Sequence, residues 1–270
     1  MVAVPPSSVR LGPGLRLQYV EQGAHDAPPV LLLPGLGDSW RSFEPLLAHL
    51  PGQVRAFAVS LRGHGRSDHP VTGYALADYA ADVVTFLDAI GLDRAVLVGH
   101  SSSAVSARLA AVLHPDRVAG LVQIGAPYTV RGNAAAATLY DTVLAGLEDP
   151  VPESFVRHFT APTAGAQVSE QFLTAMLDEA LLVPARVWRE TFLDLITHDG
   201  TWGLDSIEAP TLLIWGDADA IVARPEQDAL RAAIPGARLL TYAGLGHSPH
   251  WEDPARFSRD VAAFLLRGPD

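Results

Sequence analysis

The stretch Val96-Leu97-Val98-Gly99-His100-Ser101-Ser102-Ser103-Ala104 sets a serine where an apolar run gives way to a helix-forming segment. A hydroxyl on a tight strand-to-helix turn stands exposed above a sheet, and the helix N-terminus behind it favours developing negative charge. That is the setting in which a serine attacks a carbonyl carbon. Such a turn holds its serine in a strained backbone and needs small neighbours to close. Gly99 and Ser103 are those neighbours, giving G-x-S-x-S where G-x-S-x-G is usual. Ser102 and Ser103 are rivals, but only Ser101 lies two residues after the glycine that ends the run. The plainer reading is that the three serines cap a helix, since serine is a favoured N-cap. A serine nucleophile also needs a base with a pKa near neutrality, the property of histidine, and a carboxylate to orient that base. Late in the chain, Ile214-Trp215-Gly216-Asp217-Ala218-Asp219 offers two aspartates, either of which suits a turn. Gly244-Leu245-Gly246-His247-Ser248 offers a histidine in a glycine-rich loop, and His250 competes with it.

The elements able to position these residues are legible in the hydrophobic pattern. Val30–Leu33, Val54–Val59 and Ala95–Val98 are near-continuous apolar runs closed by Gly, Pro or Ser, as expected of strands buried on both faces of a parallel sheet. Between them Trp40–Leu50 and Leu76–Ile90 carry helical spacing, the latter through Leu76, Tyr79, Val83, Phe86, Leu87 and Ile90. Strand–helix alternation of this kind predicts right-handed crossovers and a doubly wound, mostly parallel α/β sheet. Val118–Ile124 continues the pattern, Thr211–Trp215 and Arg238–Tyr242 resume it, and Pro254–Leu266 reads as a closing helix. From Pro127 to about Ser206 only helical segments separated by Pro and Gly occur. The expected organisation is a core of residues 1–126 and 207–270 with an inserted helical cap, 127–206. Phe155, Phe159, Phe172, Met176, Leu181, Leu182, Val183, Trp188 and Phe192 supply that insertion with apolar surface, most of it its own core and some facing a pocket.

Composition narrows the choices. The formal net charge is −11, from 19 basic and 30 acidic residues, which repels phosphate backbones and anionic lipid, so neither a nucleic-acid nor a membrane partner is expected. Every basic side chain is an arginine, which removes the phosphate loop that ends in Gly-Lys-Ser/Thr. Cysteine is absent, which excludes a thiolate nucleophile, a disulfide framework and a cysteine zinc site. The Gly35-x-Gly37 pair would need a third glycine at position 40 to cradle a dinucleotide, and that residue is Trp40, so no cofactor is expected. Met1–Gly23 lacks a basic n-region and an apolar segment, and a cytoplasmic protein is the expectation.

Taken in order, LLLPGLGDSW, LRGHGRSD, VLVGHSSSA, WGDADAIV and GLGHSPHWEDP resemble consecutive blocks of the α/β-hydrolase superfamily, from about residue 15 to the C-terminus. The resemblance implies a Ser-Asp-His triad in that chain order. It selects Asp219, three residues after its glycine, over Asp217, which becomes a turn residue, and selects His247 through the G-x-G-H block. The alternative acid position after the preceding strand holds Gly125-Ala126-Pro127, with no carboxylate. His64 and His100 are left as structural. The resemblance implies an oxyanion hole from the main-chain N–H groups of Ser102 and Leu36. Two departures stand out: Pro34 occupies the place of a common histidine, and Ser103 that of a glycine.

What the resemblance implies is a serine hydrolase acting on small-to-medium carboxylic esters through an acyl-serine intermediate, without metal or cofactor. Lactone hydrolysis and cofactor-free perhydrolysis use the same triad and stay open. Carbon–carbon hydrolases of this fold place a tryptophan directly after the histidine, where this chain has Ser248. Epoxide hydrolases and haloalkane dehalogenases use an aspartate in place of Ser101. A small-molecule receptor on the same scaffold is the non-enzymatic alternative.

Overall fold

The computed structural model describes residues 5–12, 14–165 and 167–267; the ends of the expected core, 1–4 and 268–270, lie outside the described residues. Eight strands, β1 (Ser7–Gly12), β2 (Leu15–Gln22), β3 (Pro29–Leu33), β4 (Arg55–Val59), β5 (Ala95–His100), β6 (Val118–Ile124), β7 (Thr211–Gly216) and β8 (Arg238–Tyr242), form one sheet in the order β1-β2-β4-β3-β5-β6-β7-β8. From β4 to β8 every pairing is parallel, while β1–β2 and β2–β4 are antiparallel. The apolar runs anticipate β3 to β8. They do not anticipate β1 and β2, whose half-buried residues alternate in polarity, as an antiparallel edge with one solvated face requires.

Helices cover both faces. Adjacent strand residues fall in two separate core clusters, Leu31, Leu97, Leu121 and Leu213 in one and Val30, Val98, Val122 and Ile214 in the other. The period of two therefore sends alternate side chains to opposite layers, both apolar. In chain order the α-helices are α1 (Glu44–Leu47), α2 (Leu76–Ala89), α3 (Ser102–Leu113), α4 (Ala134–Leu139), α5 (Glu153–Thr160), α6 (Glu170–Ala180), α7 (Ala185–Thr197), α8 (Arg224–Ala233), α9 (Pro249–Glu252) and α10 (Pro254–Arg267). The helical spacing over 40–50 resolves into a 3-10 turn, Trp40–Phe43, followed by the short α1. Pro45 lacks an N–H and fits only a first helical turn, so the helix restarts there. Between β6 and β7 the described residues hold helices α4 to α7 and no strand. No helix among the described residues is long and apolar enough to cross a membrane.

The register carries the consequence for function. Leu33 pairs with Gly99, His100 with Ile124, Ile124 with Ile214, and Gly216 with Tyr242. The loops after β3, β5, β6, β7 and β8 therefore leave the sheet at one edge, the carboxyl ends where open α/β sheets build their sites. The loops after β7 and β8 approach so closely that a methyl on Gly216 would lie 2.2 Å from the Leu245 carbonyl oxygen and 2.3 Å from that of Gly246. Gly216→Ala is expected to lower stability by about 1–3 kcal/mol through overpacking against backbone that has no room to yield; thermal denaturation beside the unsubstituted chain measures it.

His64 illustrates how the core sets pH behaviour. It is buried with Nδ1 2.8 Å from the Arg62 carbonyl oxygen, and burial pushes its pKa down to about 4. The unfolded chain, with an ordinary histidine value near 6.5, takes up a proton first as pH falls. His64 thus costs no stability above about pH 6.5 and removes about 1.4 kcal/mol per pH unit between that value and about 4. Urea denaturation between neutrality and about pH 5 should show a shallower loss in His64→Gln by that slope.

Candidate active site

The backbone comes first. Ser101 has φ 54° and ψ −119° and is the only non-glycine residue with positive φ among the described residues. Its amide donates to the Ile124 carbonyl at 2.9 Å, and its carbonyl accepts from Ala104 at 3.0 Å, which fixes the turn from β5 into α3. A methyl on Gly99 would lie 2.6 Å from the Ser103 carbonyl oxygen and 2.8 Å from Ala104 Cα, so position 99 has room only for glycine. Ser103, by contrast, has space for its side chain and uses it: Oγ donates to the Pro34 carbonyl. The two departures noted in the sequence thus meet in one hydrogen bond that ties α3 to the loop after β3.

That loop is a turn in which the Asp38 amide donates to the Gly35 carbonyl at 3.1 Å, with Gly37 at φ 91°. Positive φ at the third position marks a type II turn, and its internal hydrogen bond leaves the Leu36 amide uncommitted. Ser102 opens α3, where the first N–H groups have no intrahelical acceptor. A methyl on Gly35 would lie 3.5 Å from Ser101 Cβ, which puts this turn against the serine.

Asp219 and His247 meet at 2.8 Å, Oδ2 to Nδ1, both side chains at most 1% exposed. The other carboxylate oxygen of Asp219 accepts from the amides of Ile221 at 2.8 Å and Val222 at 3.0 Å. Charge-assisted bonds of this kind hold a buried carboxylate in one orientation. Asp217 Oδ1 accepts from the Gly244 amide at 2.6 Å and staples the two loops together. With Nδ1–H donated to Asp219, His247 presents Nε2 as an acceptor, and this buried nitrogen has no hydrogen-bond partner among the described residues. Among the described residues no hydrogen bond joins Ser101 and His247; the ring packs against the end of β6, the strand whose Ile124 carbonyl holds the Ser101 amide. A methyl on Gly125, next to the residue that accepts from the Ser101 amide, would lie 2.9 Å from His247 Nδ1.

His250 and His100 lie beneath. His250 Nε2 is 3.3 Å from Ser42 Oγ, and His100 Nε2 is 3.3 Å from the His247 carbonyl oxygen. Burial pushes both pKa values down, that of His250 farther, so both rings are neutral braces near neutral pH. Several contributors carry no mark in the residue pattern. Glu252 Oε1 accepts from the Gly246 amide at 2.8 Å and so shapes the loop before His247. Asp38 and Glu226 line the cavity above Ser101. Trp188 is fully buried, and a methyl on Gly37 would lie 2.3 Å from it, so α7 rests directly on the turn after β3. Phe155 and Phe159 meet its indole edge-on, at centroid distances of 5.3 and 5.0 Å. The cavity, about 690 Å³, is floored by Leu36, Ser101 and Ser102 and roofed by Leu139, Phe155 and Phe159.

A strained serine between β5 and α3, at the carboxyl edge of a mostly parallel sheet and beside a buried carboxylate–imidazole pair, defines a class of enzyme, the α/β hydrolases. The comparisons agree, and the chain belongs to that family: the Alpha/beta hydrolase family model matches residues 30–260. RutD of Variovorax paradoxus (strain S110), provisionally named a carbamate hydrolase, is 33% identical over 93% of this chain and 96% of its own length. A non-heme chloroperoxidase of Streptomyces lividans is 29% identical over 96% of this chain and 99% of its own. Among solved structures, the esterase RhEst1 from Rhodococcus sp. ECU1013 superposes with a TM-score of 0.84 at 27% identity, covering 96% of this chain and 98% of that one.

The strain at residue 101 is testable apart from activity. Positive φ costs a non-glycine residue about 1–3 kcal/mol, while glycine carries an entropic penalty of about 0.5–1 kcal/mol. Ser101→Gly is therefore expected to unfold about 1 kcal/mol harder than Ser101→Ala in matched denaturant titrations.

Proposed function

We propose that this chain hydrolyses small-to-medium carboxylic esters through an acyl-Ser101 intermediate, with His247 as general base, Asp219 as its orienting acid, and the backbone N–H groups of Leu36 and Ser102 as oxyanion donors. The observation that carries the reading is the buried 2.8 Å contact between His247 Nδ1 and Asp219 Oδ2 beside the strained Ser101. With the ring proton on Nδ1 and donated to Asp219, Nε2 is left to accept one from Ser101.

Chemistry follows in two halves. His247 Nε2 accepts the Ser101 proton as Oγ attacks the carbonyl carbon, and the oxyanion moves toward the two amides. The imidazolium, stabilised by Asp219, returns the proton to the leaving alkoxide and frees the alcohol. Water then attacks the acyl-serine by the same route and regenerates Ser101. Hydrogen bonds of this type are often long before substrate is bound and tighten in the complex, so the separate Ser101 and His247 of the free enzyme fit the scheme. Residues 127–206 serve as a cap over the core of 1–126 and 207–270, and the apolar roof of the cavity suits an acyl chain or aromatic group. The esterase RhEst1, aligned over nearly its whole length, supports the ester assignment.

Turnover of p-nitrophenyl esters by the purified chain tests this directly. Ser101→Ala should lose about 10⁴-fold or more in kcat and cease to be labelled by a fluorophosphonate, and Asp219→Asn should lose about 10⁴-fold while keeping the fold. Full activity in Ser101→Ala would overturn the assignment.

A further inference from the structure

We propose that the cavity selects esters whose acyl and alcohol parts carry no negative charge, and that the carboxylates of Asp38 and Glu226 enforce the choice. The inference deepens the ester-hydrolase reading and rests on it. These two are the only acidic side chains among the described residues lining the cavity, and no arginine lines it. The chain has no lysine to serve in an arginine's place. A carboxylate-bearing substrate would therefore meet two like charges and lose its water without gaining a cationic partner.

Both acids are held in the cavity wall by neighbouring groups. Asp38 ends the turn that holds Leu36 beside Ser101; it is 6% exposed, with Oδ2 3.4 Å from Ser42 Oγ and 3.8 Å from Nδ1 of His100. Burial holds His100 toward its neutral form, so the ring offers little counter-charge. Glu226, near the start of α8, is held by the Tyr128 amide at 3.1 Å. Arg108 stands behind this wall, 2% exposed, with Nη2 donating to the Pro127 carbonyl at 2.9 Å. Burial pushes the Glu226 carboxyl above its ordinary value, and Arg108 opposes that shift from behind without lining the cavity. His158, exposed on α5, completes the titratable side chains of the lining together with His100. At an effective dielectric of about 20, one carboxylate about 7 Å from another is disfavoured roughly fiftyfold; Arg108 reduces this, and about tenfold per acid is expected.

The test compares p-nitrophenyl hexanoate with mono-p-nitrophenyl adipate, acyl chains of equal length that differ by a terminal carboxylate, at about pH 8, where carboxylates are ionised. The hexanoate is expected to lead in kcat/KM by about 100-fold. Glu226→Gln, whose amide oxygen can still accept from Tyr128, and Asp38→Asn should each shrink that ratio about tenfold, and about 0.5 M salt should shrink it in the unsubstituted enzyme. A ratio near one, a preference for the adipate, or a ratio that neither variant moves would overturn the proposal. The corresponding p-nitroanilides, as competing ligands of Ser101→Ala followed by calorimetry, read the same preference without turnover. If neither ester were cleaved, the ester-hydrolase reading would fail, and the anilide ratio would still decide the charge selection by the same criteria.

Discussion

Ser101 can stay at φ 54° only because the surrounding backbone leaves it no alternative. Its amide is bonded to β6, its carbonyl to α3, and the two residues flanking the turn in space, Gly99 and Gly35, bring no side chain against it. A left-handed serine is unfavourable by itself and persists where several stronger interactions over-determine it. Here those interactions are the parallel ladder on both sides of β5 and the first hydrogen bonds of α3. The sheet therefore does more than carry the serine. It supplies the energy that keeps the hydroxyl exposed on a sharp turn, so the site and the core cannot be varied independently.

A second constraint is the burial of a charge. The Asp219 side chain has no exposure to water, and an isolated carboxylate in such a place would neutralise itself by taking a proton. Two backbone amides and the His247 ring surround it instead. Those amides exist as donors because the chain turns sharply after β7, and the ring is in reach because the absence of a side chain at Gly216 lets the loop after β8 press against that turn. Asp217 and Glu252, each accepting from a glycine amide of that loop, complete the frame. Five carboxylates thus act in two different ways around one region: Asp219, Asp217 and Glu252 shape the loops after β7 and β8, while Asp38 and Glu226 face the cavity.

How much of this is legible in the residues depends on whether a feature has a local signature. Strands β3 to β8 are, because burial on both faces writes an unbroken apolar run. Ser101 stands out by its place two residues after the glycine that ends an apolar run, whereas only the resemblance to the α/β-hydrolase superfamily singles out Asp219 from Asp217 and His247 from His250. Strands β1 and β2 are not, since an edge pair mixes polar and apolar residues and the Gly12-Pro13-Gly14 stretch between them reads as any loop. The bond from Ser103 to Pro34 is beyond any local pattern, because it joins residues 69 positions apart. Each of the two departures looks like a defect when read alone. The same holds for Glu252 and Glu226, whose roles depend on which loops the fold brings against them.

The insertion illustrates the limit of periodicity most clearly. Its aromatic residues announce apolar surface but not which core element receives it. In the structure Trp188 lands on Gly37, Thr191 Oγ1 meets the Tyr79 hydroxyl at 2.8 Å, and Asp194 accepts from the Leu76 amide at 2.7 Å. Helix α7 is therefore seated on the turn that carries Leu36 and on the start of α2. Arg186 adds bonds to the carbonyls of His69 and Pro70. A helix held by an indole in a glycine notch and by buried polar contacts is poorly placed to swing away as a unit. Helix α4 is the contrast, since it lines the cavity through Ala135, Ala136 and Leu139 and has no fully buried residue. Local opening is drawn from segments with few buried contacts, a description that fits α4 and not α7.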